Sequence, residues 1–138
     1  MPNVGKKAPK WTATVYDNGE RSTLNSADLK GKWYLIYWWP FNFTGICNSE
    51  VKGFQRLHSQ FEEAGISLIG ASCNTIHSHM QWFDSSDHFD DETRPKHPVI
   101  ADNSHRITRK FKFFSKEISC AFRSTVLVDP DGVVQAFS

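Results

Sequence analysis

Residues 32–50 read KWYLIYWWPFNFTGICNSE, and the fold turns on how this stretch divides. Its first part, Lys32–Trp39, is a dense aliphatic and aromatic run of strand length, the pattern of a strand buried on both faces. Pro40 ends the run, because proline brings no N–H to a ladder. From Thr44 onward the period changes. Val51, Phe54, Leu57 and Phe61 recur at helical spacing, and Gly65 follows as a C-terminal cap.

The same reading extends outward in both directions. Upstream, Trp11–Tyr16 alternates weakly and turns through Asp17-Asn18-Gly19 into Arg21–Thr23, which predicts a hairpin. Ser26–Leu29 predicts one short helical turn. Downstream, Ile66–Ser72 reads as a second buried strand. Thr75–Ser85 carries a weaker helical pattern with Met80, Trp82 and Phe83 as packing residues. Val99 and Ile100 predict a short strand, and Ile107, Phe111 and Phe114 predict another helix. Ser124–Val128 and Val133–Phe137 flank Asp129-Pro130-Asp131-Gly132, a strong turn sequence. Strands alternating with helices and closed by a hairpin give an α/β class with a mixed central sheet and an N-terminal hairpin. The last strand stops where such a sheet normally receives one more covering helix.

Composition bounds the rest. At 138 residues the expectation is one domain spanning residues 1–138, long enough to fold without disulfide or metal staples. Sixteen Lys and Arg against fifteen Asp and Glu leave a net charge of +1, which argues against a general nucleic-acid binder. There is no apolar run long enough to span a membrane, and the first ten residues are too polar for a secretory signal. Three cysteines, Cys47, Cys73 and Cys120, form a poor disulfide framework, so a reducing, cytoplasmic setting is expected.

Cys47 is the residue that points to chemistry. It falls in or near the first turn of the helix that follows the buried strand. Unpaired N–H groups and the helix dipole at such a position favour thiolate over thiol, and thiolate is the nucleophile. Thr44, three residues earlier, offers its hydroxyl as an N-cap or to a ligand beside the sulfur. On position alone, a buried packing cysteine and a capping threonine account for the pair equally well.

Pro40, Thr44 and Cys47 stand in the spacing P-x-x-x-T-x-x-C, which resembles the active-site signature of the peroxiredoxins. The context WPFNFTGIC looks most like the branch that contains the alkyl hydroperoxide reductase C component. GKWYLIYWWP, LIGASCNTIHSHMQW, HPVIAD and FRSTVLVDPDG also resemble successive blocks of that family in the right order. The resemblance runs from Val4 to Ser138. It implies a thioredoxin-like fold, here without its C-terminal helix, and reduction of hydrogen peroxide or organic hydroperoxides through a cysteine sulfenic acid. Neither metal nor organic cofactor is implied. Carried over residue by residue, Cys47 would be the peroxidatic cysteine, Thr44 would hydrogen-bond the peroxide and Pro40 would shield the sulfur. Arg123 would hold thiolate and peroxide, and Glu50 would position an arginine. The partners implied are a peroxide, an external thiol or thioredoxin-like reductant, and further copies of the chain in a homodimer or larger oligomer.

Two departures from the family matter. Asn48-Ser49-Glu50 follows the cysteine where the family usually has Pro-Thr-Glu, so Asn48 is expected to loosen the loop or shift the helix start. No resolving cysteine occupies a family position either. Cys120 and Cys73 are the candidates inside the chain, although a small buried hydrophobe is the simpler role for each. The cycle therefore reads as one-cysteine, resolved by an external thiol.

Other constellations carry less. Cys73, His77, His79 and His88 fit no zinc spacing, and His79 and Trp82 resemble a family His-x-x-Trp block whose residues pack and do not coordinate. The run RKFKFFSK at 109–116 mixes cations with aromatics, but its spacing fits a core-facing helix better than a nucleic-acid surface. A disulfide reductase is excluded because Cys47-Asn48-Ser49-Glu50 lacks the second cysteine of C-x-x-C. The remaining alternative is a degenerate member serving as a non-enzymatic redox-sensing or oligomeric module.

Overall fold

The computed structural model describes residues 3–138. Nine strands appear in the order β1 (Thr12–Asp17), β2 (Glu20–Asn25), β3 (Trp33–Trp38), β4 (Ile66–Ser72), β5 (Val99–Ala101), β6 (Phe114–Ser115), β7 (Cys120–Ala121), β8 (Ser124–Val128) and β9 (Val134–Phe137). Seven of them form one mixed sheet in the order β2-β1-β5-β4-β3-β8-β9, and β6 and β7 pair separately. Strands β3, β4 and β5 run parallel, with Trp38 beside Ala71 and Gly70 beside Val99. Their carboxyl ends therefore lie along one edge, where open α/β sheets place their sites.

The N-terminal hairpin and the closing β8–β9 hairpin follow the predicted turns. Ser26–Leu29 forms a single 3₁₀ turn, capped by the Asn25 side chain on the Ala27 N–H at 2.9 Å. After β3 come α1 (Gly45–Arg56) and α2 (His58–Glu63). They divide one expected helix at Leu57, whose N–H bonds the Phe54 carbonyl at 3.1 Å and so tightens the turn. That tightening rotates Leu57 outward to 43% exposure, so it leaves the apolar stripe it was expected to join. Phe54 stays inward, stacked on Tyr37 with ring centroids 3.9 Å apart. Gly65 takes φ of 76° just past α2, the left-handed turn for which a glycine cap is favoured.

Helix α3 (Ile76–Met80) is capped by the Thr75 side chain and continues as a wider π turn over Gln81–Ser85. Helix α4 (Arg106–Lys110) is shorter than the Ile107, Phe111, Phe114 spacing predicts. Lys112 turns the chain with φ of 63°, and Phe114 lies in β6 instead. There its ring stacks on His105 at 4.6 Å and carries the Arg109 guanidinium at 4.1 Å. The basic-aromatic run at 109–116 thus closes partly on itself.

Each face of the sheet carries a core. Ile36, Trp38, Ile69, Val126 and Val128 pack on one face with Ile107 and Phe111 of the α4 region. Tyr37, Trp39 and Leu68 pack on the other with Cys47 and Val51 of α1 and with Trp82 and Phe83. This alternation is why Lys32–Trp39 reads as continuously apolar. Among the described residues, no helix is long and apolar enough to cross a membrane.

Two buried histidines tie helices to the sheet. His97 receives or gives a 2.6 Å bond with the Tyr37 hydroxyl and meets Gln55 Oε1 at 2.9 Å. His79 engages Ile100 O at 2.9 Å and the Asn42 side chain at 3.0 Å, so both its ring nitrogens are taken by packing partners. Burial, reinforced by neighbouring His58, pushes His97 down to about 3; burial likewise pushes His79 down to about 4. An unfolded chain takes up these protons near the ordinary histidine value of about 6.5, well before the folded one does. Stability is accordingly complete above that pH and falls as pH drops from it toward 4 and then 3. Each histidine should cost on the order of 2 kcal/mol by pH 5. We expect the melting temperature to fall by about 10 °C between pH 7 and pH 5; an unchanged value would contradict neutral burial of these rings.

Candidate active site

Cys47 sits in the first turn of α1 with 1% of its surface exposed. The chain reaches it from β3 through Pro40 and an unusual corner at Phe43, a bulky residue with φ of 65°. Such a conformation is costly for a bulky side chain and is held by its surroundings. Here the Phe43 ring rests 5.9 Å from Trp82 and edge-on to His88, also at 5.9 Å. The turn allows Thr44 to stay extended as the N-cap, with φ −109° and ψ 149°.

Helix α1 begins at Gly45, and its first intrahelical bond runs from the Asn48 N–H to Thr44 O at 3.0 Å. The N–H groups of Gly45, Ile46 and Cys47 precede that bond and have no acceptor within the helix. Thr44 does not cap them with its side chain, contrary to one expectation; its hydroxyl donates to Phe41 O at 3.2 Å. Asn48 lies inside α1 and makes that first bond. Proline at this position would delete the bond to Thr44 O, so asparagine adds a fastening that proline cannot.

Arg123 immediately precedes β8, and Ser124 pairs with Trp38 at the carboxyl end of β3. That register brings the guanidinium over the helix start. Its Nη1 donates to Cys47 Sγ at 3.4 Å across 76 residues of sequence, and it also pairs with the Glu50 carboxylate. Burial pulls the Arg123 proton affinity down, but the Cys47 sulfur and the Glu50 carboxylate outweigh it and the net shift is upward. Burial lifts the Glu50 carboxyl above its usual range, against the pull of Arg123. The cation thus lies between sulfur and carboxylate. Phe41, Phe43, Ile46 and Phe122, close in sequence to Cys47 or Arg123, are exposed apolar side chains.

Residues 4–137 match the AhpC/TSA family. The chain belongs to that family. It is 32% identical to alkyl hydroperoxide reductase C of Bacillus subtilis, over 98% of its own length and 71% of that protein's. The reduced 2-Cys peroxiredoxin of Plasmodium vivax superposes with a TM-score of 0.90 at 27% identity, covering 98% of this chain and 83% of that one. AhpC of Enterococcus faecalis gives a TM-score of 0.92, covering 100% of this chain and 81% of that one; at 22% identity this likeness speaks for the fold. The fold is therefore the thioredoxin-like fold of the peroxiredoxins. Membership favours an enzyme over the non-enzymatic module.

The other two cysteines of this peroxiredoxin lie on different ground from Cys47. Cys73 follows β4 and is half-buried, its thiol 3.5 Å from Thr108 Oγ1. Burial pushes that thiol up to about 11. Cys120 is 2% exposed in β7, and burial, followed by the charge of Cys47, pushes its thiol up as well. Both are held protonated, the unreactive form. Pro40 is half-buried, two residues beyond β3. One contact escaped the sequence reading altogether. The Asn48 side chain meets His88 Nδ1 at 3.4 Å across 40 residues.

Proposed function

We propose that the chain is a thiol-dependent peroxidase in which Cys47 is the nucleophile and Arg123, Thr44 and Pro40 complete the site. The observation that carries this reading is the 3.4 Å bond from Arg123 to the Cys47 sulfur. The thiolate attacks the nearer oxygen of a hydroperoxide in line with the O–O bond. That bond breaks, the departing oxygen leaves as water or an alcohol once protonated, and Cys47 becomes a sulfenic acid. Arg123 and the free N–H groups of the first α1 turn are already aimed at the developing charge, so little reorganisation is needed. Thr44 exchanges Phe41 O for a peroxide oxygen as its hydroxyl acceptor, and Glu50 keeps the guanidinium in place. One equivalent of hydrogen peroxide should leave a single dimedone adduct, on Cys47; an adduct on Cys73 or Cys120 instead would refute the assignment.

The reductant is an external thiol or a thioredoxin-like protein, since the raised thiols of Cys73 and Cys120 make both poor attackers. The whole chain serves as one domain for this cycle and works in a reducing, cytoplasmic setting. It also assembles with further copies of itself. Ile46 is 67% exposed and Phe41, Phe43 and Phe122 are each above 40%, apolar side chains of the kind that association covers. Sedimentation should show a dimer or larger species that Ile46→Glu shifts toward monomer. A monomer at high concentration would overturn this.

A further inference from the structure

On the face of the sheet opposite α1, the chain forms an open cavity of about 1260 Å³. Neither Cys47 nor Arg123 lines it, so the peroxidase reading leaves it without a use. Its walls come from four segments, at 7–14, 25–30, 101–110 and 129–132. Backbone bonds tie these walls to one another. The Ala8 N–H bonds Gly132 O at 2.8 Å, the Ser26 N–H bonds Trp11 O at 2.8 Å, and the Gly31 N–H bonds Pro130 O at 3.0 Å. The cavity is therefore preformed, which lowers the ordering cost of filling it.

Five cations line it, Lys7, Lys10, Lys30, Arg106 and Lys110, and among the described residues none of them forms an ion pair. Two of the three carboxylates on the walls are committed elsewhere. Asp102 accepts from the Ile107 and Thr108 N–H groups and the Thr108 hydroxyl. Asp129 accepts from the Asp131 and Val133 N–H groups and the Gln135 amide. That leaves Asp131 against five positive charges, whose potential a concave wall focuses. Three of the cations are held in place by one bond each. Lys7 Nζ donates to Asp131 O at 2.6 Å, Lys110 Nζ to Lys10 O at 2.9 Å and Arg106 Nε to Ser104 Oγ at 3.3 Å. An ammonium has three donors and a guanidinium five, so most of their donors stay free for a ligand. The wall between the charges is apolar. Trp11, Leu29, Tyr34 and Ile107 are its buried side chains, and the Trp11 and Tyr34 rings meet edge-on at 6.3 Å.

We propose that this cavity binds a nucleoside polyphosphate, with the phosphate chain across the cations and the base against the apolar wall. Several unpaired cations suit several negative charges close together on one ligand, as on a phosphate chain, better than a single carboxylate. The volume exceeds the roughly 1,000 Å³ of a large drug-sized pocket, so a base and sugar fit beside the phosphates. The exposed Asn103 side chain offers both a donor and an acceptor to their edges. The basic-aromatic run at 109–116 gains a use as well. Its Lys110 lines the cavity, while Arg109 turns back onto the Phe114 ring. This site stands apart from Cys47, and its occupancy does not depend on the role of that cysteine.

The test is calorimetric titration of the reduced protein with ATP, inorganic tripolyphosphate and adenosine, all without magnesium. We expect ATP to bind at one site per chain, tripolyphosphate to bind about fivefold more weakly, and adenosine to give no measurable heat. The double variant Lys30→Glu/Lys110→Glu should weaken ATP at least about tenfold, the effect of losing charge-assisted bonds. Both side chains are exposed, so the fold should survive by circular dichroism. Arg21→Glu/Lys116→Glu makes the same change in net charge at exposed positions outside the cavity and should leave ATP affinity within about twofold. Equal weakening by the two pairs would mean attraction to the whole surface and would overturn the site. No binding of ATP at millimolar concentration overturns it outright, and tripolyphosphate as tight as ATP overturns the contact with the base. Nitrogen-proton spectra locate the ligand independently of affinity. On adding ATP the Trp11 indole N–H should shift while those of Trp39 and Trp82, packed on the other face of the sheet, stay in place. The reverse pattern would place the ligand elsewhere and refute the proposal.

Discussion

Cys47→Ser is expected to abolish peroxide reduction, lowering the rate of hydrogen peroxide consumption with dithiothreitol by at least about a thousandfold. A nucleophile removed from a unit that acts together costs orders of magnitude, because binding and positioning alone recover little. A hydroxyl in place of the thiol keeps the size of the side chain, so the loss reports chemistry rather than packing. Cys73→Ala and Cys120→Ala should retain activity within about threefold, because burial holds both thiols protonated. If either variant loses turnover while still taking up the first oxygen, that cysteine is the resolver and the one-cysteine cycle is wrong. Peroxide consumption with each variant, coupled to intact mass, separates these results.

Arg123→Met should cost about a hundred- to a thousandfold in the second-order rate with hydrogen peroxide, the range found when one preplaced donor to a developing anion is removed. The side chain is partly exposed at 41%, so methionine can take its place without opening a core cavity. The loss should appear in the oxidation step and leave the fold intact by circular dichroism. Arg123→Lys should recover only part of it. Lysine restores charge but not the planar fork that reaches Cys47 Sγ and the Glu50 carboxylate together. An Arg123→Met enzyme with the wild-type rate would mean that the arginine merely neutralises Glu50.

Much of this site can be read from sequence because its parts follow local rules. Lys32–Trp39 is apolar on both faces since two cores press on β3, and the change of period after Pro40 marks where α1 starts. Cys47 therefore falls at a helix start on spacing alone. Arg123 is different. Nothing local distinguishes it from a surface cation, and only the register that sets the following Ser124 beside Trp38 delivers it to the sulfur. The resemblance to a family supplied what spacing did not.

What was not legible depended on competition between near-equal local choices or on long-range contact. Leu57 keeps helical spacing, yet an i to i−3 bond turns it outward. Phe114 also keeps the spacing of Ile107 and Phe111, but the positive φ at Lys112 breaks the helix and sends it into a hairpin. The Thr44 hydroxyl has a choice between accepting from an N–H of the first turn and donating to a carbonyl, and it donates to Phe41 O. Asn48 reads as a weakened helix start when compared with proline. Its side chain meets His88, 40 residues away, a contact that no periodicity announces.

The most direct measurement of the central claim is the rate at which the reduced protein reacts with hydrogen peroxide. Trp39 and Trp82 share the packed cluster that contains Cys47, so their fluorescence should follow oxidation of the sulfur in a stopped flow. One rapid transient is expected, linear in peroxide concentration and orders of magnitude faster than a free thiol. It should end in a chain heavier by one oxygen and vanish in Cys47→Ser. A rate no better than that of a free thiol would contradict it, for the arginine, the free N–H groups and the buried sulfur would then be arranged without catalysing anything.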